Sequence, residues 1–326
     1  MRILICGWSR NESNGAFKNH LMTALIIPSL GSPTLASCLE AVTALTPGPD
    51  RIVVVLSGTN DEGPKIPGVE ILHSAQRLGF AEAVNRGIVS TIDDHKYIGL
   101  LNDDATPAPD WLDRLQGCLE ENARFGAVQG TLSGHDLRID GRGIEFDSFG
   151  LPTQIDRGQR LEEEHDENHL IPATSATACV YRSEALKSIA LSPTDFFDPS
   201  YGSYHEDVDL GLRLLRNSWL AVWVPHARCR HIGSASGHSM RWRHPWWLLA
   251  NRWRALAGNL EPIATVLLVP RLLRGELRAI HTLFRDNPRV GLIAPVIFML
   301  LPFLLFSGWL RSSPGKRLNS IPEFTR

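Results

Sequence analysis

Four short stretches between Thr23 and Leu101 constrain the fold more than anything else in the chain. "TALIIPS", "RIVVVLS" and "YIGLL" are continuous apolar runs, and the weaker "VEILHS" lies between the last two. A strand with one wet face alternates apolar and polar residues, whereas a run apolar at every position needs cover on both faces. Helical patterns separate the runs. In "LASCLEAVTAL", Leu35, Leu39, Val42 and Leu45 follow the cap candidate Ser32; in "FAEAVNRGIVSTI", Phe80, Val84, Ile88 and Ile92 share one face. Strands alternating with helices of about a dozen residues imply right-handed crossovers and a mainly parallel sheet flanked by helices, an α/β architecture. In such sheets ligands bind beyond the carboxyl ends of the strands.

At one such end stand Asn102, Asp103 and Asp104. Two carboxylates there suit a hard divalent cation, Mg²⁺ or Mn²⁺, which takes few ligands from protein and the remainder from phosphate and water. By itself the triplet would equally serve as a polar turn capping the helix that starts near Asp110. A second cluster, His205, Glu206, Asp207 and Asp209, heads a helix whose apolar positions are Val208, Leu210, Leu212, Leu214 and Leu215. The helix dipole accounts for some of that acidity. Three acids and a histidine behind "FFDPSYGSY" exceed it, and one carboxylate could act as general base toward an acceptor hydroxyl. His231, in "CRHIGSAS", could bind a metal through one ring nitrogen. Cys229 is too close to it for a zinc knuckle, and the paired Cys/His spacings of structural zinc are absent. The five cysteines are widely spaced with no CxxC, the usage of reduced thiols in a cytosolic protein.

Charge divides the chain. Residues 241–326 hold 13 Lys and Arg against 4 Asp and Glu, a surplus of +9 inside a net charge of −2. That tail interleaves Arg241, Arg243, Arg252 and Arg254 with Trp242, Trp246, Trp247 and Trp253, which suits a bilayer interface better than a nucleic-acid groove. Residues 290–310 contain no charge over roughly the length needed to cross a hydrocarbon core. Pro295 and Pro302 leave a spanning helix and a re-entrant or interfacial hairpin open beside a buried core helix. The expected organisation is an N-terminal extension (1–21), either an edge strand or a segment preceding a true start at Met22, then an α/β domain (22–240), then the tail (241–326). Within the domain, residues 133–171 read as a long polar loop near a site, and its Glu162-Glu163-Glu164 run as solvated.

Taken in order, "ALIIPSLG", "RIVVVLSGTND", "RLGFAEAVNRGI", "LLNDDATPAPDWLDRL", "ACVYRSEAL", "FFDPSYGSYHEDVDLGLRLLRNSW" and "CRHIGSAS" resemble family 2 glycosyltransferases. These are inverting enzymes on the GT-A fold, and the likeness is greatest to bacterial rhamnosyltransferase-like members that build cell-surface glycans. The resemblance implies a nucleoside-diphosphate sugar donor (a UDP- or dTDP-sugar), a glycan or lipid-linked acceptor, and action at the cytoplasmic face of the cell membrane. It implies Asp104 as ligand of Mg²⁺ or Mn²⁺ on the donor diphosphate, with His231 completing the site. Asp207, in the pair Glu206-Asp207, would be the catalytic base, and Pro28, Ser29, Gly79, Asn85, Asn102 and Asp103 would line the nucleotide pocket. Leu56 stands where the family usually has an Asp that hydrogen-bonds the donor's base, so base recognition would fall to Ser57, Asp61 or backbone. Two other classes stay open: a sugar-1-phosphate nucleotidyltransferase, whose Arg-containing Gly-rich loop "PSLGSPTL" lacks, and a non-catalytic membrane-attached binding module.

Overall fold

The computed structural model describes residues 22–134, 136–161, 166–233, 243–286, 289–311 and 313–323. The N-terminal extension, the Glu162–Glu164 run, Arg241, Trp242 and the boundary at 240 lie outside those residues.

The first half follows the expected alternation: β1 (Thr23–Ser29), α1 (Leu35–Thr43), β2 (Arg51–Ser57), β3 (Val69–Ser74), α2 (Phe80–Val89) and β4 (Tyr97–Leu101). Next come β5 (Ala105–Pro107), α3 (Trp111–Glu121), β6 (Phe125–Ser133), β7 (Ile139–Gly141), β8 (Ile144–Phe146), β9 (Pro152–Gln154), β10 (His169–Ile171) and β11 (Ala178–Arg182). The chain continues through α4 (Ser183–Ile189), a 3-10 turn (Pro199–Tyr201), α5 (Glu206–Arg216), β12 (Leu220–His231), α6 (Arg243–Asn259), α7 (Pro262–Asp286) and α8 (Arg289–Leu310).

The main path of the sheet runs β10-β12-β6-β11-β4-β1-β2-β3. β3, β2, β1 and β4 are mutually parallel, and β11 enters antiparallel between β4 and β6. The continuous apolar runs are buried on both faces: Leu25 and Ile27 join the core on one side of the sheet, Ala24 and Ile26 the core on the other. The winding reverses between β1 and β4, so Ser29 and Asn102 flank the crevice at the switch point.

Two local readings differ from the structure. Helix α1 starts at Leu35 behind Thr34, while the Ser32 hydroxyl accepts from the Thr34 amide in a turn one step earlier. The stretch 133–171 is not structureless, since it carries four three-residue strands, too short for alternation to show.

Helix α5 is buried along opposite sides. Leu210 and Leu214 join the core under the sheet, while Val208 and Leu212 pack with Ala255 of α6. Asp209 is fully buried and bonded by Arg213 (2.9 Å), by the Asn259 amide (2.8 Å) and by Arg311, which follows α8. The tail therefore shares a buried ionic network with the α/β half, and Arg311 reaches Asp198 at 3.0 Å as well.

Candidate active site

β1 and β4 end side by side, and their terminal residues are joined. The Ser29 hydroxyl donates to Asp103 Oδ2 at 2.6 Å. Burial pushes the Asp103 carboxyl up to about 6; the Ser29 bond opposes this and the Asp104 charge adds to it. The chain then turns into β5, which pairs with the far end of β12 so that Ala105 faces His231. β12 is twelve residues long and has shifted register between Trp223 and Arg228. That bulge re-aims the strand end, a usual role of bulges beside sites.

His231 consequently lies between two carboxylates. Its Nε2 is 3.2 Å from Asp104 Oδ1 and its Nδ1 is 2.7 Å from Asp140 Oδ2, with Arg157 Nη2 3.4 Å from the other Asp140 oxygen. Burial disfavours the imidazolium, but the two carboxylates outweigh it and raise His231 to about 9. The His231 bond holds Asp140 below the usual carboxylate range, against its own burial.

The second cluster arrives through a strained turn. Gly202, Tyr204 and His205 have φ of 68°, 70° and 67°, the last immediately before Glu206. Two left-handed non-glycine residues in succession cost energy and persist only where the surroundings enforce them. Helix α6 does so. The buried Asn251 amide nitrogen lies 2.9 to 3.0 Å from the carbonyls of Tyr201, Ser203 and Tyr204, and His205 Nε2 is 3.1 Å from the Leu248 carbonyl. Burial, with Arg252 adding to it, depresses His205 to about 3, so its ring is neutral and Nε2–H donates.

Beyond that turn, Asp207 Oδ1 accepts the Val208 amide at 2.8 Å, and the nearby Ala176 backbone also favours its charged form. Burial outweighs both and raises Asp207 to about 6. Glu206 is 6% exposed, and its Oε2 has no hydrogen-bond partner among the described residues. Burial, then the Asp207 charge, push its pKa well above the usual carboxylate range.

One loop joins the two clusters. The Ala176 backbone lies by Asp207, and the next carbonyl, Thr177, accepts the Asn102 amide at 2.8 Å. The loop is pinned from below by the buried Gln129, whose side chain accepts from the Ser175 amide at 2.6 Å. The chain just past β4, which carries Asp103 and Asp104, is thus tied through Asn102 to the loop beside Asp207.

The other expected pocket residues are distributed unevenly. Pro28 sits half-buried at the end of β1. Gly79 precedes α2, where an added Cβ would lie 2.9 Å from the Gly202 carbonyl, so the glycine lets this turn meet the strained one. Asn85 is spent on structure: its oxygen accepts the Phe196 and Phe197 amides and its nitrogen donates to Phe197 O. Leu56 is 1% exposed within the apolar core and pairs in register with Ser29. Ser57 accepts the Leu78 amide at 3.3 Å, and the exposed Asp61 accepts the Gly63 amide.

Among the described residues no group of three or more His, Cys, Asp or Glu is arranged to hold a metal. Asp104 and His231 nevertheless fit as two ligands. Donors 3.2 Å apart match an edge of an octahedron with bonds of about 2.1 Å, and the remaining positions suit phosphate and water. A carboxylate with an imidazole favours Mn²⁺ over Mg²⁺.

Sequence reasoning missed Asp140 and Asn251. Asp140 lies in the polar stretch read as a loop, and Asn251 lies among the tryptophans and arginines of the tail, so neither carries a local signal.

A family model described as "Glycosyl transferase family 2" matches residues 24–190. N-acetylglucosaminyl-diphospho-decaprenol L-rhamnosyltransferase of Mycobacterium tuberculosis, in strains CDC 1551 / Oshkosh and ATCC 25618 / H37Rv, is 25% identical over 291 residues. That match covers 76% of this chain and 92% of the relative. Among solved structures, GalNAc-T7 with UDP, GalNAc and Mn²⁺ superposes with TM-score 0.59 at 16% identity, over 75% of this chain and about half, 49%, of that one. The mannosyltransferase PcManGT from Pyrobaculum calidifontis, with GDP-Man and Mn²⁺, gives TM-score 0.52 at 16% identity over 88% of this chain and 83% of that one. Both likenesses show the fold.

Proposed function

We propose, because this chain belongs to glycosyl transferase family 2, that it transfers a sugar with inversion from a nucleoside diphosphate to a hydroxyl of a lipid-linked glycan acceptor. Membership of that family sets aside the nucleotidyltransferase and the binding module. The observation that carries the reading is the Thr177 carbonyl's bond to the Asn102 amide, in the loop whose Ala176 backbone lies by Asp207. On this reading an ionisable base and a diphosphate site share one crevice, as a single displacement requires.

In that displacement the acceptor oxygen forms a bond to the anomeric carbon from the face opposite the diphosphate. Asp207 takes the hydroxyl proton, and the electron pair of the breaking carbon–oxygen bond leaves on the diphosphate. Asp207 suits the role because burial has raised its basicity while the Val208 amide fixes its direction. A divalent ion at Asp104 and His231 would neutralise charge on the departing group. Asp103, held by Ser29, shapes the floor beside it.

The relative's L-rhamnosyl and decaprenol-diphosphate chemistry supports a deoxyhexose donor and a polyprenyl-diphosphate acceptor in cell-wall assembly. On this reading the enzyme works at the cytoplasmic face of the membrane holding that acceptor, with a UDP- or dTDP-sugar as donor. Leu56 offers the base no hydrogen bond, so the base edge falls to backbone or to Asp61. The test is release of nucleoside diphosphate from a panel of nucleotide sugars with Mn²⁺, with EDTA controls and the Asp207→Asn variant. Release from none of them, or release undiminished in the variant, would overturn the reading.

A further inference from the structure

Nine of the thirteen exposed large hydrophobic residues among the described residues lie on α7 and α8. From Pro295 onward, every exposed side chain of α8 is apolar. Val296, Met299, Phe303, Phe306 and Leu310 recur at three- and four-residue intervals along one face, with Met299 75% and Phe303 66% exposed. That stripe is about 22 Å long at the usual helical rise. α7 packs beside it over the core of Leu272, Leu301 and Leu305, and its first turns add exposed Ile263, Val266 and Leu267. Farther along α7 the exposed positions turn basic, with Arg271, Arg274 and Arg278. Glu276, on the same helix, is buried against Arg252.

We infer that α7 and α8 form a docking surface for an anionic lipid bilayer, with α8 lying in the membrane plane and its exposed stripe sunk into one leaflet. The opposite face of α8 argues against crossing. Ile297, Leu301, Leu304 and Leu305 are buried there, and Gly308 lets α8 approach α6 so closely that an added Cβ would lie 3.0 Å from the Gly258 amide nitrogen. Among the described residues no helix is long and apolar enough to cross a membrane. A second protein copy fits the stripe less well. Protein interfaces carry about one hydrogen bond per 100–200 Å², and the stripe offers no side-chain donor or acceptor. Acyl chains need none, and arginines at the border suit anionic headgroups.

The surface deepens the lipid-linked-acceptor reading and rests on it only for its purpose, so the two are tested separately. The full chain is floated with vesicles of phosphatidylcholine, with and without phosphatidylglycerol. Wild type is expected to float with the anionic vesicles and to be released by salt. The triple variant Met299→Ser, Phe303→Ser, Phe306→Ser should partition about tenfold or more weakly, with unchanged thermal midpoint and unchanged nucleoside diphosphate release to water. Arg271→Gln with Arg274→Gln should lose the preference for phosphatidylglycerol. Wild type that does not float, or a triple variant that floats equally, overturns the inference. So does a dimer that the triple variant abolishes, which would assign the face to a second copy. Loss of sugar transfer with flotation intact would instead count against the acceptor reading alone.

Discussion

The Asn102 amide donates to the Thr177 carbonyl at 2.8 Å, in the loop whose preceding residue, Ala176, lies by Asp207. Because Gln129 pins that loop, the proposed base and the proposed diphosphate site would have a fixed relation before any ligand arrives. Such preorganisation is how a displacement of this kind is accelerated.

Replacing the base separates chemistry from folding. Asp207→Asn is expected to lower turnover by about two to four orders of magnitude without loss of thermal stability. A carboxyl whose pKa rises on folding, here from 3.8 to about 6, binds its proton more tightly in the folded state. Stability therefore falls as pH rises through that window, and ionised Asp207 is a net cost above it. At pH 7.5 the thermal midpoint of the variant should equal or exceed that of wild type, as read by calorimetry; a clear drop would show that Asp207 is structural.

The same ionisation predicts a pH profile. Only the carboxylate can accept the acceptor's proton, so kcat/KM should fall as pH drops through about 6, with a slope near one. A flat profile from about pH 5 to 8 with stable protein, a range that brackets the shifted value, would remove Asp207 as the base.

Asp140 holds His231 Nδ1 and so leaves Nε2 directed at Asp104. Carboxylates behind a metal-binding histidine commonly matter by about 10–100-fold in affinity. Asp140→Ala should weaken Mn²⁺ binding to the donor-free protein by about that factor, measured by isothermal titration, and Asp140→Asn should restore part of it by keeping an acceptor for Nδ1–H. Equal affinity in all three proteins would make Asp140 a bystander.

Asn251 holds the turn that aims α5. Asn251→Leu should lower kcat more than it raises KM for the donor, because the donor's crevice lies at the strand ends while the base sits beyond the turn. Hydrogen exchange at residues 202–207 should accelerate ahead of the rest of α5. Unchanged exchange there would show that the left-handed turn holds itself.

Arg311 enters the core from the end of α8 to meet Asp209 and Asp198. Removing one partner of a buried pair costs about 3–5 kcal/mol. Arg311→Ala should therefore lower stability by about that amount in urea unfolding, and a chain ended before residue 311 should fail to give a stable catalytic domain. Wild-type stability of the truncated chain would show that the tail is dispensable.

Much of this protein is written locally. Runs such as "ALII" and "IVVVL" are apolar at successive positions, and only a sheet covered on both faces accommodates that, so the α/β class, the strand end at Asn102 and the helix head at Asp207 follow from pattern alone. The roles of Asp104, Asp207 and His231 came from resemblance, which spacing could not have supplied. What the sequence could not contain was which distant groups meet. That His231 is held by Asp140 from a stretch read as loop, that Asn85 is consumed by the 196–197 backbone, and that Arg311 and Asn251 of the tail brace α5 were decided by tertiary packing. The reason is physical: apolar periodicity is a property of neighbours along the chain, whereas the partner of a buried polar group is whichever complementary atom the closed core brings within about 3 Å.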